Sequence, residues 1–164
     1  MVTGQHDQSL STSTSTSNSS LRSSSSIRSS LLQLRGHEHV VNALAYPPLP
    51  PGKEHAEGEA VNLLVSASRD KTVRLWDTSN GSNLHTFSGH NNWVRDVIVH
   101  RSRDYVISVS DDRTMAVWDV KNKRRLRNME EAHGHFVTCV AMHSGRGILT
   151  TGGVDNVVKF WACK

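Results

Sequence analysis

The stretch SASRDKTVRLWD at residues 66–77 places a charged turn between two short runs of strand-forming residues, and it ends on a Trp-Asp pair. It returns as SVSDDRTMAVWD at 108–119 and, in more divergent form, as TGGVDNVVKFWA at 151–162. In each copy an Asp lies six residues before the Trp, at Asp70, Asp112 and Asp155. Three copies in one register predict a protein built of repeats.

Each copy belongs to a longer unit that the second copy shows best. Alternating apolar residues there predict four strands, around 94–99, 105–109, 115–117 and 126–129. Each run is too short for a helix. A unit of about 42 residues with four short strands, a Gly-His pair at its start and Trp-Asp after its third strand is typical of a propeller blade.

The register divides the chain into four parts. Residues 1–30 are rich in Ser and Thr and have almost nothing apolar to bury, which predicts a disordered tail. Repeats follow at 31–87, 88–131 and 132–164, the last one degenerate. The segment PPLPPGKEHAEGEA at 47–60 predicts a long exposed loop within the first repeat. The predicted fold class is all-β, with three four-stranded blades in an incomplete propeller arc behind a disordered N-terminal tail.

Composition narrows the class of protein. The net charge is +4, and the densest basic run, KNKRRLR at 121–127, has no interleaved aromatic residue to stack bases, which favours a solvated turn over a nucleic-acid site. The two cysteines form no CxxC pair and indicate no oxidising compartment. No run approaches 18 apolar residues, and the first 30 lack the apolar centre of a signal peptide, although a transit peptide stays an alternative. We expect a soluble cytoplasmic protein without a cofactor.

These units resemble WD repeats over residues 31–164. The segments SASRDKTVRLWD, GHNNWVRDV, HGHFVTCVAMH and VVKFWACK further resemble the last three repeats of the lissencephaly, or nuclear-distribution, family of dynein regulators. That resemblance implies a non-enzymatic scaffold that binds and regulates cytoplasmic dynein in nuclear migration, spindle positioning and microtubule-based transport. It implies the dynein motor domain and dynein cofactors of the nuclear-distribution type as partners, and a cytoplasmic location at microtubules and the centrosome.

Two alternatives stay open, a generic WD-repeat adaptor for another complex and a non-functional truncated copy. The resembled family has seven blades and an N-terminal dimerising segment. Because the sequence contains no such segment, we do not expect self-dimerisation of this chain.

The WD resemblance also implies a structural hydrogen-bond network within each blade. Its predicted members are His37, Ser68, Asp70 and Trp76 in the first unit, His90, Ser110, Asp112 and Trp118 in the second, and His133, Asp155 and Trp161 in the third. Gly153 stands at the predicted Ser position of the third unit. A missing hydroxyl leaves a polar gap that costs about 1–3 kcal/mol, so we expect the third blade to be the least stable.

The same residue types also occur in hydrolases and metal sites. A Ser-His-Asp triad occurs once in an enzyme, whereas this set is repeated, and no GxSxG elbow accompanies it. The pairs His37-x-His39 and His133-x-His135 lack the further ligands of a four-coordinate site. We therefore expect no catalytic residue and no metal.

When the three repeats are aligned, two sets of equivalent positions, which we call columns, differ in residue type from repeat to repeat. These two columns predict a binding surface. The residue before the turn Asp is Arg69, Asp111 or Val154, and the residue before the first-strand Val is Val40, Trp93 or Phe136. In a WD propeller both columns open on one rim, so Arg69 and Trp93 are expected to be neighbours across two blades. Arg and Trp dominate interface hot spots, and the resemblance implies that this pair contacts the dynein motor domain. The alternative is structural, with Trp93 packed between blades and Arg69 a solvated turn residue.

Overall fold

A computed structural model describes residues 32–48, 62–143 and 145–163. The tail predicted at 1–30 and most of the loop predicted at 47–60 lie outside these residues. The described residues form eleven strands: β1 Val41–Ala45, β2 Leu63–Ser68, β3 Thr72–Asp77, β4 Asn83–Ser88, β5 Val94–Val99, β6 Tyr105–Ser110, β7 Met115–Asp119, β8 Arg124–Met129, β9 Val137–His143, β10 Ile148–Gly153 and β11 Val158–Ala162. Within these ranges no helix is long and apolar enough to cross a bilayer.

The strands form three antiparallel sheets, which we call blades 1, 2 and 3. Blade 1 has the order β1-β2-β3-β4, blade 2 the order β5-β6-β7-β8, and blade 3 the order β9-β10-β11. The predicted all-β architecture of successive blades in an unclosed arc is therefore confirmed. The prediction of four strands in every blade is wrong for the described part of blade 3, which contains three.

The turn between the second and third strands has one conformation in all three blades. Lys71, Arg113 and Asn156 occupy the same turn position with φ of 70°, 70° and 63°, in the left-handed region. Non-glycine residues adopt this region at a cost. The Asp just before each of them offsets that cost, as when Asp70 Oδ1 accepts the amide of Thr72 at 3.0 Å. The repeated Asp therefore holds the turn in place.

Two apolar clusters join the blades side by side. Between blades 1 and 2, Val73 and Phe87 pack against Val97 and Trp118, and the Phe87 and Trp118 ring centroids are 5.4 Å apart. Between blades 2 and 3, a second cluster has the members Ile107, Val109, Met115, Ala132, Val137, Val140 and Leu149. The core therefore lies between sheets, because each buries a face against its neighbour.

The outward faces of blades 1 and 3 remain exposed at positions that are buried in the other blades. In the third strand, Phe160 is 74% exposed, whereas the matching Leu75 of blade 1 is 4% exposed. In the first strand, Leu44 is 62% exposed, whereas the matching Val97 of blade 2 is 2% exposed. The apolar pattern is thus the same in every blade, and only the presence of a neighbour decides its burial.

Candidate protein-binding surface and its supporting network

A chain of hydrogen bonds crosses each blade from its entry loop to its third strand. In blade 1, His37 Nδ1 donates to Asp70 Oδ2 at 2.7 Å, and His37 Nε2 lies 2.6 Å from Ser66 Oγ. Trp76 Nε1 donates to the same hydroxyl at 2.8 Å. In blade 2, His90, Asp112, Ser108 and Trp118 repeat these bonds, each at 2.8 Å. The loop, turn and sheet are therefore tied together by one set of side chains.

The hydroxyl in this chain is two residues earlier than predicted. Ser68 and Ser110 were the expected links, and that prediction is wrong because Ser66 and Ser108 bond the His and the Trp. Ser68 lies at the end of β2, where its hydroxyl donates to Val40 O at 3.0 Å and accepts the Asp70 amide at 3.1 Å. It supports the turn, and Ser110 does the same for Asp112 at 3.1 Å.

Blade 3 has a complete network. Thr151 Oγ1 lies 2.8 Å from His133 Nε2 and accepts Trp161 Nε1 at 2.9 Å, while His133 Nδ1 donates to Asp155 at 2.9 Å. The prediction of a missing hydroxyl at Gly153 is therefore wrong. Gly153 is equivalent to Ser68, whereas Thr151 supplies the hydroxyl that bonds the His and the Trp. Because the expected instability of blade 3 rested on that missing hydroxyl, the reason for expecting blade 3 to be the least stable no longer holds.

The Asp-His-hydroxyl geometry resembles that of a hydrolase triad, but its surroundings differ. Ser66, Ser108 and Thr151 are buried, and each hydroxyl already accepts a Trp N–H. A nucleophile must reach its substrate from a site open to it. The arrangement therefore ties the blade together and leaves no accessible nucleophile at these three positions.

The turn carboxylates are held in their ionised form. Burial alone raises the pKa of Asp112, but hydrogen bonds from His90, Thr114 and the Asn91 amide outweigh it, so the pKa lies well below its usual range. At Asp70 burial is likewise outweighed, by bonds from Thr72, His37 and the Glu38 amide, and its pKa is also lowered. Hydrogen bonds to a charged carboxylate favour that form.

The structure brings Arg69 and Trp93 together across the boundary between blades 1 and 2. The Arg69 guanidinium carbon lies 4.5 Å from the centroid of the Trp93 ring, within the range of a cation–π contact. Both side chains are half-buried, and the hydrogen bond of the Arg69 side chain to the described residues is a long one, 3.4 Å from Nε to Asn42 Oδ1. The pair presents a charged group and a rigid apolar ring on the rim that carries the turns.

Two further residues complete this surface. Arg95 lies on β5 with its guanidinium carbon 5.1 Å from the Trp93 centroid, and it forms a bidentate pair with Asp111 at 2.7 and 2.6 Å. Sequence reasoning noted Asp111 as a variable position but did not identify Arg95. The sequence did offer one indication of Arg95, because Arg95 directly follows the first-strand Val94 and so lies two residues after the variable position Trp93. The ion pair between Arg95 and Asp111 could be identified only from the folded structure.

The rim also carries histidines without the features of a metal site. His39 lies near Trp93, with ring centroids 6.3 Å apart, and His135 contacts Phe136 at 4.4 Å. Within the residues that the structure describes, no three His, Cys, Asp or Glu side chains come together as a ligand group.

The fold and the repeated network agree with a comparison against protein families. The family model described as "WD domain, G-beta repeat" matches residues 28–77, 81–119 and 124–162. The chain belongs to the WD40 repeat family. The matches are offset from the blades by one strand, because the second match begins with β4 of blade 1 and the third begins with β8 of blade 2. The repeat limits predicted from the sequence stay predictions.

Curated relatives carry the names expected from the sequence motifs. The chain is 40% identical over 144 residues to a Lissencephaly-1 homolog of Heterostelium pallidum, which covers 76% of this chain and 34% of the relative. It is 44% identical over 138 residues to nuclear distribution protein PAC1 of Yarrowia lipolytica, covering 79% and 31%. A Lissencephaly-1 homolog of Paramecium tetraurelia is 39% identical over 137 residues. The WD chain thus spans about a third of the length of these relatives.

Proposed function

We propose that this chain forms part of a non-enzymatic WD scaffold that binds and regulates cytoplasmic dynein. The roles we assign to it are nuclear migration, spindle positioning and microtubule-based transport, in the cytoplasm at microtubules and the centrosome. The proposed partners are the dynein motor domain and dynein cofactors of the nuclear-distribution type. Support comes from the WD family, from relatives named Lissencephaly-1 homolog and nuclear distribution protein, and from the rim geometry.

The Arg69–Trp93 contact is the observation that carries this proposal. Arg supplies a planar charged fork and Trp a large apolar ring, and both types contribute strongly at protein interfaces. The described residues of blade 3 carry the apolar Val154 and Phe136 in the same two columns. The WD framework therefore does not require the Arg–Trp pair, and this supports a role for the pair in partner binding.

A regulator of this kind acts through unequal affinity. A scaffold that binds one conformation of the motor more tightly than another shifts the motor toward the first, by an amount set by the difference in binding free energy. Equal affinity for both conformations shifts nothing. The rim is suited to this role because its side chains are held by the sheet and by neighbouring groups before a partner arrives.

Binding of the whole chain to purified dynein motor domain tests the proposal. We expect the immobilised chain to capture the motor domain in biolayer interferometry, and Trp93→Ala to weaken the capture. Arg127→Ala removes an exposed cation from the edge strand β8, opposite Val117, and as the matched control it should leave the affinity unchanged. Absence of binding by the wild-type chain, or an equal loss in the control, would favour a generic WD adaptor instead.

A further inference from the structure

We propose that Asp111 is a positioning residue for this surface, which holds Arg95 against Trp93 and so fixes the indole that a partner contacts. The inference rests on the proposed role of Trp93 in binding. Asp111 itself is buried, with a side chain that is 3% exposed, so it acts through Arg95 and not by touching the partner.

The Arg95–Asp111 pair has the geometry of a strong interaction. Arg95 Nε and one terminal nitrogen donate to the two carboxylate oxygens at 2.7 and 2.6 Å, which is the bidentate arrangement. Hydrogen bonding to Asp111 raises the pKa of Arg95 above its ordinary value. Such a fork fixes the plane of the guanidinium as well as its position, because both N–H groups must point at the carboxylate.

The indole is contacted by two cations that differ in their other partners. Arg95 is held by the buried carboxylate, whereas Arg69 has no ion pair among the described residues and only a 3.4 Å bond from Nε to Asn42. Arg95 therefore anchors the ring, and the terminal nitrogens of Arg69 are left for a partner. The two arginines have separate tasks although both lie within about 5 Å of one ring.

Comparison of the blades separates this pair from the framework. Asn42, Arg95 and Thr138 occupy one column, and Arg69, Asp111 and Val154 occupy the facing column. Blade 1 thus pairs an amide with a guanidinium, blade 2 a guanidinium with a carboxylate, and blade 3 carries neither charge. All three blades form antiparallel sheets although only blade 2 contains this charged pair, so we assign the pair to the surface and not to the fold.

Fluorine NMR of the chain labelled with 5-fluorotryptophan tests the positioning role without a partner. The chain has four tryptophans, and Trp93→Phe assigns the resonance of interest. We expect Asp111→Asn to shift and broaden the Trp93 resonance while Trp76 and Trp118 remain unchanged, and Asp111→Glu to restore it in part. Asp104→Asn, an exposed carboxylate in the β5–β6 loop of the same blade, is the control. An unchanged Trp93 resonance in Asp111→Asn overturns the proposal.

Affinity then separates this inference from the proposed function. We expect Asp111→Asn and Arg95→Lys to weaken capture of the dynein motor domain about tenfold, with the folded spectrum of Trp76 and Trp118 retained. If Trp93→Ala weakens binding and Asp111→Asn does not, positioning by Asp111 is overturned while the dynein proposal stands. If the wild-type chain does not bind the motor domain, the dynein proposal fails, and the Trp93 resonance alone decides the role of Asp111.

Discussion

Ser108 accepts a hydrogen bond from Trp118 Nε1 at 2.8 Å, deep between the sheets, and both residues are almost fully buried. The same hydroxyl lies 2.8 Å from His90 Nε2. One oxygen therefore joins the third strand of the blade to the loop that enters it. Removal of that oxygen affects two buried polar groups at once.

Ser108→Ala should lower the free energy of unfolding by about 1–3 kcal/mol, because it leaves buried polar groups of His90 and Trp118 without a partner. Denaturant unfolding measures this loss. The indole N–H resonance of Trp118 should shift in this variant. Ser110→Ala is the matched comparison, since its hydroxyl supports the turn, and it should leave that resonance in place. A larger shift in Ser110→Ala would restore the assignment made from the sequence.

Thr151→Val should destabilise blade 3 by a similar amount. Valine keeps the branched shape of threonine and removes the hydroxyl bonded to His133 and Trp161. The expected cost is about 1–3 kcal/mol in urea unfolding. Thr151→Ser retains the hydroxyl and should cost less. No loss in Thr151→Val together with a large loss in Thr151→Ser would show that the methyl group, and not the hydrogen bonds, determines the effect.

Gly153→Ser should destabilise the chain although it copies the residue found in blades 1 and 2. A Cβ at this position would lie 2.8 Å from His133 Nδ1 and 2.9 Å from both Asp155 Oδ1 and the Phe136 carbonyl. These distances are too short for non-bonded atoms, so the His–Asp pair or the backbone has to shift. We expect this shift to lower the free energy of unfolding by about 1–3 kcal/mol. Thermal unfolding provides the comparison. A raised melting temperature would mean that blade 3 does contain a gap to fill.

Asp112→Asn should cost more stability near neutral pH than in acid. The pKa of Asp112 in the folded chain lies below its unfolded value of 3.8. The stabilisation by its ionised form is therefore complete above that value and is lost as the pH falls through the folded pKa. Urea unfolding between about pH 6 and about pH 2.5 should show the wild type and the variant converging in acid. A constant difference across this range would contradict the account, and Asp104→Asn serves as the control.

Leu75 and Phe160 occupy the same strand position in blades 1 and 3 and should respond differently to truncation. Leu75→Ala removes a buried side chain and should cost about 2–5 kcal/mol. Phe160 is 74% exposed, so Phe160→Ala should change stability by less than about 0.5 kcal/mol. Chemical unfolding of both variants gives the comparison. A large loss in Phe160→Ala would indicate that its face is covered in solution.

The repeat register explains how much of this architecture the sequence could predict. The spacing of Asp70, Asp112 and Asp155 before their tryptophans locates the turns, and alternation locates the strands. The resemblance to WD propellers, in which both columns open on one rim, predicted that Arg69 and Trp93 are neighbours, and the structure brings them together. Local pattern and fold agree at these positions.

The choice of hydroxyl could not be made from alternation. Ser66 and Ser68 are two residues apart, so they lie on the same face of β2, and only the pairing of Leu64 with Trp76 shows which one the indole reaches. The role of Thr151 could not be predicted for the same reason, because Thr151 occupies the position in blade 3 that is equivalent to Ser66 in blade 1. The Arg95–Asp111 pair joins β5 to the β6–β7 turn and depends on side-chain directions that the sequence does not contain.

The most direct test of the central claim, that Arg69 and Trp93 form one binding unit across two blades, is a double-mutant cycle on the affinity for the dynein motor domain. We predict that Arg69→Ala and Trp93→Ala each weaken binding about tenfold, near 1.4 kcal/mol. The double variant should lose less than the sum, because the two side chains act together. Unchanged affinity in both single variants, or strictly additive losses in the double variant, would contradict the claim.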